Sequence, residues 1–154
     1  MTEQAPKVFD TGIGARIERK EDDRFLNGQG QYVGDVKFPD MREVAFVRSP
    51  LAHARVLSIT KPALGKHQHV FTMDDLTGVR PIVAASALDG FQMSVQYPMA
   101  RDKVRHVGEI VAMCIAPSRA EAEDLAESVL VEYEELPVVV DMFRAVEPSA
   151  DVLL

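Results

Sequence analysis

Four histidines, His53, His67, His69 and His106, are the residues in this sequence best suited to hold a metal ion or carry a proton. His67 and His69 are two apart and would share a face on a strand, yet no third and fourth ligand stands at the spacing a zinc site needs. The carboxylates Glu132, Glu134, Glu135 and Asp141 could supply an acid/base pair, but acids beside an exposed strand end are solvated, and nothing in the pattern raises their pKa values. Ser49 and Ser118 stand outside any GxSxG elbow. Asp22-Asp23 and Asp74-Asp75 lack the alternating ligands and glycine of a calcium loop. Gly28, Gly30 and Gly34 miss the dinucleotide fingerprint, whose third glycine would fall at position 33 between a strand and a helix, and are read as glycines of tight turns. No residue is therefore assigned as catalytic, cofactor-binding or metal-ligating.

Composition narrows the field further. The 154 residues carry a formal net charge of −7 with scattered Lys and Arg, which argues against a nucleic-acid partner and against a basic face for a membrane. The single cysteine, Cys114, lies inside an apolar run, so it is read as an inert core residue and no disulfide framework exists. No secretory h-region opens the chain and no run approaches the ~18 apolar residues of a membrane helix, so no membrane insertion is expected and the cytoplasm is the expected location. The length suits one domain burying roughly 70% of its unfolded surface. That domain is expected over residues 14–154, after a loose segment over 1–13.

The elements that must position any site centre on residues 107–141. Ile110–Ala116 is an unbroken apolar run bounded by Gly108 and Pro117, which predicts a strand buried on both faces. Ser118 follows as an N-cap, paired with Glu121 in a capping box. Ala122, Leu125, Ala126 and Val129 fall at i, i+3, i+4 and i+7, and Glu121, Glu123, Asp124 and Glu127 take the wet side, which predicts a helix over about 118–129. The period then changes to two, with Val129, Val131 and Tyr133 facing one way and Glu132 and Glu134 the other, up to Pro137. The fold class is α+β, with the capped helix packed on a mixed β-sheet or forming a β-α-β unit.

Upstream, ARIERKEDDRFL reads as a surface turn or short helix anchored by Ile17, Phe25 and Leu26. Val44–Val47 and Ala54–Thr60 read as an antiparallel pair, Val70 and Phe71 continue the strand pattern, and Thr72–Asp75 reads as a capped helical turn stopped at Gly78. Phe91, Met93, Val95, Tyr97 and Met99 alternate with polar residues, an edge strand confined by Pro98. The same Met and aromatic side chains could instead form a contact surface for a partner chain. The apolar end at Val152–Leu154 is expected to continue into further chain or to dock on another subunit.

Four stretches, RKEDDRFLNGQGQY (19–32), FVRSPLAHARVLSI (46–59), RHVGEIVAMCIAPSRAEAEDLAE (105–127) and VEYEELPVVVD (131–141), occur in one order and together cover most of positions 14–154. They resemble the molybdopterin-binding large subunit of the xanthine dehydrogenase and aldehyde oxidase family, in particular members similar to the aerobic carbon monoxide dehydrogenase large chain. One departure is Ile110, where the family often has proline, a local change at a strand start.

The resemblance implies the family's N-terminal α/β hammerhead domain, without the molybdopterin-binding domains that follow it. It implies a non-catalytic structural role in a molybdenum hydroxylase acting on an aldehyde, an N-heterocycle or carbon monoxide. The cofactor of the complete enzyme would be molybdopterin cytosine dinucleotide, held by domains that this chain lacks. The implied partners are those domains of the same large subunit and the iron–sulfur and FAD subunits. The alternative is a stand-alone protein-interaction or assembly module with no enzymatic role.

Overall fold

The computed structural model of the chain describes residues 12, 13, 15 and 17–148. The chain divides into two compact units, Met1–Pro39 and Asp40–Leu154. In the first, helix α1 (Asp22–Leu26) closes with two backbone bonds, Gly28 N–H to the Phe25 carbonyl at 3.1 Å and Gln29 N–H to the Arg24 carbonyl at 2.8 Å. That pair is a Schellman closure, which needs a left-handed residue, and Gly28 supplies it at φ 67°. Gly30 and Gly34 have no positive φ, so only one of the three glycines is a turn residue in this sense.

The rings of Phe25 and Tyr32 stack with centroids 5.9 Å apart. The short helix is as predicted, but its anchors are not: Ile17 and Leu26 are 83% and 86% exposed, and no described residue of this unit is buried. Five residues of helix offer too narrow an apolar side to enclose them.

The second unit contains β1 (Glu43–Arg48), β2 (Ala54–Thr60), β3 (His69–Thr72), β4 (Ile82–Ala84), β5 (Ser94–Gln96), β6 (Lys103–Val104), β7 (Ile110–Ala116), α2 (Arg119–Glu127) and β8 (Leu130–Glu135). The α+β class stands. In detail, the strands form two three-stranded sheets, β1-β7-β3 and β6-β2-β8, and a β4-β5 ribbon. Every described ladder is antiparallel. The strands flanking α2 join different sheets, so α2 is a link between sheets and not a parallel crossover. The predicted β1-β2 pair is likewise not formed. The apolar β7 recruits β1 and β3 on its two edges, while β2 pairs with β6 and β8.

The core follows from the period of β7. Ala112 and Cys114 point into one cluster with Val70, Leu125 and Val129, beneath the helix. Val111 joins a second cluster with Ala54, Ala100 and Val104. Alternation along the strand sends the adjacent Val111 and Ala112 to opposite faces, and a bulge lies at the same place, with Val47 paired to Ala112, Arg48 to Ile110 and Val111 the extra residue. Ile59 and Val131 touch both clusters and join them. β7 is buried at Val111, Ala112, Cys114 and Ala116 while Ile110, Met113 and Ile115 stay half-buried, so the predicted burial on both faces holds only in part; the helix face of Ala122, Leu125 and Val129 is buried as predicted.

The Ser118 cap is present, with Glu121 N–H donating to its hydroxyl at 3.3 Å. The Glu121 carboxylate returns to that same hydroxyl at 2.9 Å and not to the backbone N–H, a variation on the expected reciprocal box.

Candidate functional site

Most of the residues flagged for chemistry are engaged in local structure. His53 is buried, with Nδ1 2.7 Å from the Pro137 carbonyl. His67 sits in the turn before β3 at φ 66°, so it does not share a strand face with His69. His69 stacks on Phe71 with centroids 6.0 Å apart. Among the described residues no three His, Cys, Asp or Glu side chains gather into a metal-holding group.

Glu132 accepts from the Ser58 hydroxyl at 2.8 Å, and Glu134 pairs with Arg55 at 3.4 Å. Asp141 accepts from the backbone N–H groups of Phe143 and Arg144, at 2.8 and 3.3 Å. Asp22 pairs with Arg19, Asp23 accepts from Asn27, and Asp74 pairs with Arg101. Asp75 accepts from Thr72 N–H at 2.6 Å and from Lys61 Nζ at 2.6 Å, and these donors hold its pKa down to about 2. The predicted capped turn at 72–75 is therefore real, as a single 3-10 turn over Met73–Asp75.

Ser49 closes a local turn, donating to the Leu51 carbonyl at 2.9 Å and accepting Leu51 N–H at 3.1 Å. Tyr133, next to it, has its phenol pKa raised by burial against an opposing hydrogen bond with Ser49. Burial also pushes the Cys114 thiol up, the reverse of what a nucleophilic thiolate requires.

The stretch with the strongest contact character is the β4-β5 ribbon and its loop. The alternation over 91–99 predicts a strand burying one side. In the structure only Ser94–Gln96 is strand, and of the alternating set only Met99 is buried. Leu88 and Met93 are 75% and 68% exposed, and Phe91, Val95, Ile82 and Val83 are exposed as well. A two-stranded ribbon is marginal in water without something to pack on, so such a surface fits a contact with further protein. Val152–Leu154, the other expected contact, lies outside the described residues.

A cleft of about 390 Å³ lies beside the ribbon, lined by Gln96, Tyr97, Arg101, Arg105, His106 and Glu109 among others. Glu109 is its organising group. Its carboxylate accepts Arg105 N–H at 2.5 Å and lies 3.6 Å from His106 Nδ1. Neither Arg105 nor Glu109 was singled out from the sequence. The available signal was a carboxylate directly after Gly108, where a left-handed turn brings it back to the preceding N–H.

Comparison with known proteins gives these observations a frame. The family model described as aldehyde oxidase and xanthine dehydrogenase, a/b hammerhead domain, matches residues 27–137. The carbon monoxide dehydrogenase large chain of Hydrogenophaga pseudoflava is 39% identical over 158 residues, covering 97% of this chain and 19% of that one. The nicotine 6-hydroxylase large subunit of Paenarthrobacter nicotinovorans is 35% identical over 151 residues, covering 93% and 18%. The crystal structure of quinoline 2-oxidoreductase from Pseudomonas putida 86 matches with a TM-score of 0.81 and 42% identity, over 94% of this chain and 19% of that one. The chain thus spans about a fifth of the length of these relatives.

Proposed function

Because the chain belongs to the aldehyde oxidase and xanthine dehydrogenase a/b hammerhead domain family, we propose that it serves as the non-catalytic structural domain of a molybdenum hydroxylase large subunit. The observation that carries this reading is the match of nearly the whole chain to about a fifth of each relative. On this reading residues 14–154 are one hammerhead domain, and the molybdopterin-binding domains that follow it in the large subunit house the chemistry. The domain walls the approach to the metal. Iron–sulfur and FAD subunits complete the enzyme and carry the electrons away.

Molybdopterin cytosine dinucleotide would supply the redox centre of the complete enzyme, and the described residues do not fit it. A dinucleotide's pyrophosphate calls for clustered cations or backbone N–H groups. The cleft instead balances Arg101 and Arg105 with Asp102 and Glu109, and the one thiol is sealed in the core. No chemical step is assigned to this chain. Its contribution is shape, held by the two joined core clusters. Among the described residues no helix is long and apolar enough to cross a membrane.

The test is co-expression of this chain with the polypeptide encoding the molybdopterin-binding domains, followed by affinity purification and molybdenum analysis. The expected result is a stoichiometric complex containing molybdenum. Recovery of this chain alone, free of both partner and metal, would count against the reading and favour the stand-alone interaction module. That second reading draws its support from the exposed apolar ribbon.

A further inference from the structure

We propose that the β4-β5 ribbon is a flap: it swings and opens separately from the rest of the second unit, and the cleft that it walls widens and narrows with it. The two walls of that cleft are held very differently. On one side stand Arg105, His106 and Glu109. Their turn is tied down by Gly108 N–H to the Ser49 carbonyl at 2.8 Å, Ser49 N–H to the Glu109 carbonyl at 2.9 Å and Arg48 Nη1 to the Gly108 carbonyl at 2.8 Å.

On the other side stand Ser94, Val95 and Gln96 of β5. Among the described residues, every hydrogen bond made between Gly78 and Met99 stays inside that segment. These are the β4-β5 ladder, Leu88 N–H to the Ser86 hydroxyl at 3.2 Å and Phe91 N–H to the Leu88 carbonyl at 3.2 Å. Bonds to the body resume only at Ala100, whose N–H donates to the Ile110 carbonyl at 2.7 Å. One wall is therefore fixed and the other is free.

Apolar packing does not tie the ribbon either. β4 is exposed along its whole length, and so are Leu88, Phe91, Met93 and Val95, so opening uncovers little that is buried. Two strands of three residues make a ribbon that is marginal in water by itself. What holds is the root. Met73 is buried before the segment and Met99 after it, and Arg101 Nε stands 3.5 Å from Asp74 Oδ1, joining the chain that enters the flap to the chain that leaves it. Movement is thereby confined to the residues between, and the two three-stranded sheets need not shift. The position of the flap sets how far Tyr97, Arg105 and Glu109 are open to solvent.

Two measurements on the full chain test this. The one native cysteine, Cys114, is buried, so spin labels can be placed on introduced thiols. The label-to-label distance distribution for Leu88→Cys with Glu132→Cys, ribbon to body, should be at least about twofold broader than that for Glu123→Cys with Glu132→Cys, within the body. Equal widths overturn the flap. In hydrogen exchange, amides of 82–84 and 94–96 should exchange at least about tenfold faster than those of 110–116. Leu125→Ala, which weakens the core as a whole, should speed the 110–116 amides by about tenfold or more and leave the ribbon amides unchanged. If that variant does not fold, Ser118→Ala gives the same comparison with a change of about fivefold. Ribbon amides that exchange at the 110–116 rate, or that accelerate by the same factor in the variant, would mean that the ribbon opens only when the whole unit does, and overturn the proposal.

Discussion

The Nδ1 of His53 lies 2.7 Å from the carbonyl oxygen of Pro137, 84 residues away in the chain. A carbonyl only accepts, so Nδ1 carries the proton and Nε2 is left as an acceptor. The ring is buried, and Nε2 has no hydrogen-bond partner among the described residues. Beside it, Leu136 N–H donates to the His53 carbonyl at 3.0 Å. His53 therefore latches the connection before β2 to the chain leaving β8.

Replacing His53 with alanine should remove the latch and leave the Pro137 carbonyl short of a donor. The expected loss of unfolding free energy is about 1–3 kcal/mol, read from urea denaturation. A change within a few tenths of a kcal/mol, about the noise of a surface substitution, would show that Leu136 alone holds this end.

Asp75 gives a pH dependence with a definite sign. Its folded pKa is depressed from 3.8 to about 2, first by the Lys61 hydrogen bond and then by Thr72 N–H. A depressed carboxylate contributes stability that is fully present above its unfolded value and is lost as pH falls through the folded one. The window therefore runs from about pH 4 down to about 2. Both partners are about a third exposed, so added salt should shrink the effect. Melting temperature measured across that window should fall more steeply for the wild type than for Asp75→Asn. Parallel curves would remove Asp75 from the acid transition.

Leu125 and Glu123 sit on opposite faces of α2, one 5% exposed in the first core cluster and the other paired with Arg119 in solvent. Leu125→Ala should cost about 2–5 kcal/mol through the cavity it leaves between helix and sheet. Glu123→Ala should be near neutral, and Ser118→Ala should cost about 1 kcal/mol through the lost cap. Equal melting temperatures for the Leu125 and Glu123 variants would contradict the packing of the helix.

How far these features could be read in advance depended on whether the signal was local. The Ser118 cap, the 3.6 period of Ala122, Leu125 and Val129 and the apolar run of β7 are set by neighbours in sequence, and each reappears in the structure. Partnership between strands is not local. Nothing in Val44–Val47 says that its neighbour is β7 and not β2; β7 lies at the centre of its sheet, and the hydrogen-bonding groups on its two edges are met by β1 and β3. Bulges are equally hidden. Leu57 looks like a core residue of β2, but an irregularity between Val56 and Ser58 leaves it 61% exposed. The ribbon departs from its pattern for a related reason. Alternation over 91–99 predicts burial only if another layer lies beneath it, and exposed Leu88, Phe91 and Met93 have none within the second unit's core clusters. The cleft residues Arg105 and Glu109 depend on a turn geometry that pattern alone does not reveal.

That turn supplies the last prediction. Gly108 has φ 87°, its N–H donates to the Ser49 carbonyl at 2.8 Å, and its own carbonyl receives Arg48 Nη1. No atom would lie within 4 Å of an added Cβ, so Gly108→Ala tests the backbone alone. An L-residue held in the left-handed region costs about 1–2 kcal/mol, offset by about 0.4–1 kcal/mol from a less flexible unfolded chain. The net destabilisation should be about 1 kcal/mol for alanine and smaller for asparagine, which tolerates positive φ better. Urea denaturation of the two variants side by side checks this order. Alanine and asparagine variants as stable as wild type would mean that the 105–109 turn relaxes freely, with Arg48 Nη1 and the Ser49 carbonyl keeping their partners by other means.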